Sequence, residues 1–283
     1  MVLLATLPLS LALPRAPAGQ TSRAGNITGT PARVLRVCAD PNNLPFSNEK
    51  QQGFENRIAE LVAREMNAEL RYTWWAQRRG YIRNSLRAGL CDLFIGMPTG
   101  LDMVLVTRPY YRSIYAFVTR RSAPRITSLD DPRLRRLRVG VQIIGDDFAN
   151  APPAEALTHR GIVRNVRGYT VLGDYREPNP PSRIVRAVSD GEIDVAIVWG
   201  PLAGYFARKS AVPLRVVPVS PEVDVPYLPF AFDIAMGVRH GETALRDSLD
   251  AVLMRRRGDI DRILADYGVP RADTPAMAGR GTH

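Results

Sequence analysis

The chain is poor in the side chains that build metal centres. Its 283 residues include two cysteines, Cys38 and Cys91, and three histidines, His159, His240 and His283. Neither cysteine sits at a zinc-ligand spacing and the histidines are scattered, so no metal site of the His/Cys type is expected. Lysine is as scarce: of 38 basic residues only Lys50 and Lys209 are lysine. No block of five or six like charges occurs, and the densest cluster, Arg133, Arg135, Arg136 and Arg138, is short. Zinc-finger spacing, a glycine-aromatic RNA-binding signature and a basic zipper are all missing. The net charge of +10 therefore reads as scattered arginine rather than a nucleic-acid face, although it could still steer an acidic partner. A Gly-x-Ser-x-Gly elbow, a Walker loop and a credible Ser-His or Cys-His pairing are missing too, which argues against an independent enzyme.

Long apolar runs are also lacking. Residues 1–13, MVLLATLPLSLAL, fall short of the about 20 residues that span a bilayer. They are followed by Ala16 and Ala18 at a small-x-small spacing, which suggests an export signal, although a positive n-region is missing. Residues 1–32 are expected to be signal and leader. The mature protein is expected to carry no membrane span and to work outside the cytoplasm, where one disulfide is permitted.

What is present is a repeat. Leu35-Arg36-Val37 returns as Leu137-Arg138-Val139, and Gly89-Leu90-Cys91-Asp92 as Gly191-Glu192-Ile193-Asp194, both 102 residues on. Each half thus starts with an apolar strand and later has a helix, Gly-x-x-Asp and a second apolar strand. Between them, residues 53–68 place Ile58, Leu61, Val62 and Met66 on one helical face. Residues 71–75 read as a strand and 81–88 as a short helix ended by Gly89. In the second half, Ser182 is placed to cap a helix through Val188. Strand-helix alternation implies two α/β lobes, each a mostly parallel sheet flanked by helices. After a strand at 231–238, helices at 243–255 and 259–267 would return to complete the first lobe. The expected division is 33–119 plus 228–270 for lobe 1 and 120–227 for lobe 2, with a flexible tail at 271–283. Crossings are expected near 118–124 and 220–229, a hinge arrangement.

The run from Leu35 through Cys38-Ala39-Asp40-Pro41-Asn42-Asn43-Leu44-Pro45-Phe46-Ser47, then Gly53-Phe54-Glu55, resembles the opening of type II periplasmic solute-binding proteins. Arg108-Pro109-Tyr110-Tyr111 and the closing Tyr267-Gly268-Val269 fit the same fold, and the likeness covers about residues 33 to 270. Within that fold the chain is similar to the MoxJ/XoxJ subfamily, associated with quinoprotein methanol dehydrogenases. The similarity rests on residues 38–47, Tyr72-Thr73-Trp74-Trp75 through Gly80, Pro178-Asn179-Pro180-Pro181, and Glu192 through Tyr205. The resemblance implies a non-catalytic periplasmic protein, with no cofactor of its own, that assists maturation or activation of a pyrroloquinoline-quinone-dependent alcohol dehydrogenase working with a cytochrome c. A monomer is expected. The alternative is a solute receptor of an ABC transporter.

The resemblance also frames the cleft. Amino-acid receptors of this fold hold the ligand carboxylate with an Arg soon after the Thr99-type position; here that slot falls on Val104. The acid they offer the ammonium, at the end of the Asp194-type strand, is replaced by Trp199. A buried zwitterion would lack both partners, so free amino acids are not expected to bind tightly. The candidate cleft instead comprises Asp40, Asn42 and Asn43 at the end of the first strand, Phe46, Trp74, Trp75, Met97, Thr99, Tyr110, Tyr111, Trp199 and Tyr205. Arg78 and Arg79 are candidates for a partner's acidic patch. Plain core packing remains open for Trp74, Trp75 and Tyr110, and a simple turn for Asp40–Asn43. On the register that the resemblance implies, Cys91 sits about 13 Å below Cys38 along neighbouring strands. Two buried thiols are therefore the default, with a Cys38–Cys91 bridge as the alternative.

Overall fold

The computed structural model describes residues 33–144, 149–172 and 175–272. The expected signal and leader, and the tail beyond residue 272, lie outside the described residues. The first half builds β1 (Arg33–Ala39), α1 (Phe54–Glu65), β2 (Ala68–Trp74), α2 (Tyr81–Asn84) and β3 (Leu93–Pro98). A long strand, β4 (Tyr111–Arg120), leads to β5 (Val139–Ile144), α3 (Pro152–His159) and β6 (Val166–Thr170). Then come α4 (Arg183–Asp190), β7 (Val195–Trp199), α5 (Gly200–Lys209), β8 (Leu214–Pro218) and β9 (Ala231–Val238). Helices α6 (Thr243–Arg255) and α7 (Arg257–Asp266) follow.

The repeat has a physical meaning. In the first half the Arg36 backbone N–H donates to Asp92 Oδ2 at 3.0 Å, and its guanidinium reaches Oδ2 at 3.2 Å and Oδ1 at 2.7 Å. In the second half Arg138 makes the same three bonds to Asp194, at 2.8, 3.1 and 2.7 Å. Each clamp locks a pair of parallel strands in one register: Val37 opposite Leu93, and Val139 opposite Val195. The forked guanidinium suits this task because it grips both carboxylate oxygens at once. Gly89 and Gly191, at φ +76° and +78°, make the left-handed turn ahead of each Asp.

The lobes share one sheet. Its longer strands run in the order β6-β5-β7-β4-β9-β3-β1-β2, with β8 also on β4. Strand β1 is parallel to β2 and β3, and β5 is parallel to β6 and β7. Antiparallel β4 and β9 lie where the halves meet, so the expected parallel sheets are mixed at their junction. Along β4, residues 111–114 pair with β9, while residues from Tyr115 onward pair with β7 and β8. The changeover falls inside a strand, earlier than the 118–124 expected from sequence. YRSIYAFVTR is rich in aromatic and β-branched residues and contains no Gly, Pro, Asn or Asp, so the strand runs through.

Three buried clusters fill the body. One joins α1, β1, β3, α6 and α7 through residues such as Phe54, Ile58, Leu93 and Leu249. The others pack around Phe117, Leu157 and Ile197, and around Val118, Val188 and Leu202. Trp199 packs against all three. The helix expected at 81–88 stops at Asn84. The Ser85 hydroxyl donates back to the Tyr81 carbonyl there, a side-chain bond that competes with helix propagation. Ser182 does not cap α4; its hydroxyl donates to Asn179 O at 2.8 Å, and the turn at Pro180–Ser182 enters the helix directly. Proline has preset the helical φ.

Cys38 and Cys91 are joined, with Cα atoms 5.4 Å apart. The expected 13 Å offset assumed that Cys91 continues the strand downward. Instead β3 begins only at Leu93, and Asp92 N–H bonds Arg36 O at 2.7 Å, which folds residues 90–92 back against β1. The bridge is buried with Leu86, Phe94, Met97 and Val104. A crosslink across 53 residues constrains the unfolded chain by about 4 kcal/mol in the loop-entropy picture. Unfolded, unreduced protein should therefore show no free thiol. Replacing both cysteines by alanine should lower stability in urea by about 2–4 kcal/mol. Two free thiols would contradict the bridge.

Candidate functional site

The strand ends of the two halves enclose a cavity of about 340 Å³. From the first half come Asp40, Asn43, Phe46, Glu55, Gln77 and Tyr81; from the second come Gln142, Val171, Leu172, Trp199 and Leu202. Tyr111, Tyr115 and Phe232, on the shared strands β4 and β9, complete the wall. A crevice outside the carboxyl ends of strands is where open α/β sheets bind ligands.

Asp40 is 3% exposed at the end of β1. Its carboxylate accepts N–H bonds from Asn42 at 2.8 Å and Gln77 at 2.7 Å, and the Tyr175 hydroxyl donates to it at 3.1 Å. Burial raises its pKa, and those bonds oppose the rise. Since Tyr175 belongs to the second half, Asp40 also ties the lobes together. Asn42 does the same: its Nδ2 donates to Glu177 O at 2.8 Å, and its Oδ1 accepts from Asn179 N at 3.0 Å. Arg78 lies over the Tyr175 ring, 5.5 Å from its centroid. Asn43 donates from Nδ2 to Gln77 Oε1 at 2.8 Å. Its Oδ1 is buried without a partner.

The aromatics expected to gather do so only in part. Phe46 and Trp199 line the cavity, with Trp199 edge-on to Tyr115 at 5.3 Å and Phe232 at 5.8 Å. Its backbone N–H donates to Gln142 Oε1 at 2.9 Å. Tyr110 points into the core, where its hydroxyl donates to Ile95 O at 2.9 Å. Tyr111, whose ring lies 5.0 Å from that of Tyr110 in the same buried cluster, reaches the cavity lining. Trp74 stacks on Tyr72 at 4.6 Å on the outer strand β2, and Trp75 is 38% exposed. Neither reaches the cavity. Tyr205 stacks on Tyr267 at 5.7 Å, outside the cavity lining. Met97 is buried beside the disulfide. Thr99 is exposed, with its N–H on Asp233 O at 2.9 Å. Arg79 is exposed. Val104, in the slot where receptors carry Arg, is 5% exposed within the disulfide cluster.

Reading the sequence undervalued Glu55. It sits in the first turn of α1, and the surface it retains faces the cavity. Any side chain at Gly96 would collide with its carboxyl, so that glycine makes its space. Among the described residues nothing donates to the Glu55 side chain. Desolvation, with a smaller push from Asp40, raises its pKa from 4.5 to about 8. The signal lay in Gly-Phe-Glu: an acid next to a core phenylalanine at a helix start. Gln142, Tyr115 and Phe232 had no comparable signal, because only the shared sheet brings them together. Among the described residues no group of three or more His, Cys, Asp or Glu could hold a metal. No helix there is long and apolar enough to cross a membrane.

The folded state keeps a proton on Glu55 that the unfolded chain releases above pH 4.5. Stability without ligand should therefore fall as pH rises from about 4.5 to about 8, by up to about 1.4 kcal/mol per pH unit from this group. Glu55→Gln should remove that slope and be the more stable protein at pH 8. Identical pH–stability curves for the two would contradict the assignment.

Residues 35–270 match the family of bacterial extracellular solute-binding proteins, family 3. Protein MoxJ of Methylorubrum extorquens is 34% identical over 262 residues, spanning 88% of this chain and 85% of that protein. The crystal structure of periplasmic binding protein XoxJ from Methylobacterium extorquens AM1 is 37% identical. It superposes at a TM-score of 0.71 over 85% of this chain and all of that one. That of MxaJ from Methlophaga aminisulfidivorans MPT is 25% identical with a TM-score of 0.71, over 84% of this chain and all of that one.

Proposed function

This chain belongs to the bacterial extracellular solute-binding proteins, family 3, and from that premise we propose that it is a non-catalytic periplasmic accessory protein of a pyrroloquinoline-quinone-dependent alcohol dehydrogenase. It binds the dehydrogenase, and through it meets the cytochrome c, to assist maturation or activation. The observation that carries this reading is the likeness to MoxJ and XoxJ along nearly the whole chain. Their subfamily is the one associated with quinoprotein methanol dehydrogenases.

The cavity has room for a small molecule or a side chain or two, near the lower end of the about 300–1,000 Å³ usual for ligand pockets. It is partly open to solvent, and we place the partner contact on the outer surface. One exterior feature suits it. Between the short strands Val223–Asp224 and Leu228–Pro229, Val225 is 81% and Tyr227 90% exposed. The hairpin is braced: Arg160 grips Asp224 at 2.5 and 2.9 Å, and Arg112 bonds Glu222 at 3.0 Å. A rigid, projecting tyrosine is a favourable interface anchor. Exposed Arg79 would add attraction to an acidic partner.

A second reading, a receptor for a small solute, draws support from the size of the cavity. Affinity capture separates the two. Immobilised protein should retain apo or holo dehydrogenase at low salt, and Tyr227→Ala should weaken retention roughly tenfold or more. Arg79→Ala should act mainly on the salt dependence. Capture of neither form at any salt would sink the accessory reading. In that case a small molecule raising the melting temperature would favour the receptor.

A further inference from the structure

We infer that the cavity between the lobes is a site for a small protonated organic amine that carries no carboxylate. The inference rests on the cavity being a ligand site, as in the receptor reading above; it does not depend on the dehydrogenase contact.

The argument starts from charge. Among the described residues lining the cavity there is no Arg, Lys or His, while two carboxyl groups, Asp40 and Glu55, face it. A ligand anion would be buried without a partner, and a zwitterion would have one end unpaired. A cation meets the opposite situation. One acceptor group is poised and unused: Glu55 lines the cavity, and nothing among the described residues donates to it. Buried acceptors are nearly always satisfied in proteins, so an orphan beside a cavity marks where a donor belongs. An ammonium supplies several N–H donors at once.

The walls agree. Phe46, Tyr111, Tyr115, Trp199 and Phe232 present ring surface to the cavity. Aromatic faces attract cations through their quadrupole, most strongly when water is excluded, and they receive the ligand's hydrocarbon part as well. Asp40 is largely occupied by its own three hydrogen bonds. It therefore contributes field, while Glu55 remains to bond the ligand.

Binding is coupled to a proton. Glu55 is faced by Asp40 from the end of β1, Tyr72 on β2, Tyr81 on α2, Tyr110 just before β4 and Tyr111 on β4. These tyrosines are held neutral by burial, their pKa values all raised. The Arg78 guanidinium acts on Asp40. With its pKa near 8, Glu55 carries a proton at neutral pH and must lose it to pair with an ammonium. Amine affinity should rise with pH up to about 8, approaching tenfold per unit. It should fall again where the amine itself loses its proton.

The test is calorimetric titration of the full chain with methylamine, butylamine and benzylamine, each against its neutral counterpart: methanol, butanol and benzyl alcohol. Phenylalanine serves as the zwitterion. The expected result is at least one amine binding tenfold or more tighter than its alcohol and than phenylalanine. That binding should release protons, read as a heat that varies with buffer ionisation enthalpy. Glu55→Gln, shown folded by its melting curve, should lose tenfold or more for the amine and leave the alcohol unchanged. No amine binding at 10 mM, or equal affinity for amine and alcohol in the native protein, overturns the inference. Both outcomes leave the capture experiment on the dehydrogenase untouched.

Discussion

An acid held away from water with no cation against it is expensive, and the Glu55 carboxyl is in that position. The molecule meets the cost by keeping the group protonated, at a pKa near 8. The location is built around it: Gly96 leaves the space, and α1 carries the residue in its first turn. Partial positive charge at a helix start favours a carboxylate, but burial outweighs it here. Glu55 is thereby poised: neutral at rest, and ionised once something positive arrives.

That chemistry depends on two halves meeting along one continuous strand. Strand β4 pairs with β9 through Ile114 and with β7 and β8 from Tyr115 onward. The strand ends of both lobes consequently converge on one spot. Polar contacts join the lobes beside the cavity: Asn42 with Glu177 and Asn179, and Asp40 with Tyr175. Apolar contacts join them too: Trp199 packs against clusters of both halves, and Tyr205 stacks on Tyr267. The lobes themselves are made stiff by the paired clamps, Arg36 on Asp92 and Arg138 on Asp194. Many arginines are held in such pairs, with Arg160 on Asp224 a third. Each pair removes one charge of either sign, so the net +10 remains.

The outline was legible because it repeats. Leu-Arg-Val and Gly-x-x-Asp, each at offset 102, correspond to one clamp per half, and strand–helix periodicity located most elements within a few residues. The apolar strand at 231–238 and the helical pattern after it pointed to the return of α6 and α7 to the first half. Side-chain direction was harder. Tyr110 and Tyr111 are adjacent and pack in one cluster, and only the assembled fold decides that Tyr111 reaches the cavity lining. Trp74 ends an edge strand and Trp75 follows it, positions that their aromatic character does not reveal. The Cys38–Cys91 bridge was misjudged for a similar reason: counting along a strand fails where the chain bends before the strand begins. Asn43, Gln142 and Glu55 converge from distant segments, so their grouping is a property of the assembled sheet.

The central claim is that the cavity holds a neutral acid ready to ionise, and the Glu55 side-chain carbon reports it directly. With protein labelled at glutamate and Glu55→Gln to assign the resonance, carbon NMR across pH 4 to 10 should give a midpoint near 8. A midpoint near the ordinary 4.5 would mean that the group is solvated or paired, and would contradict the account.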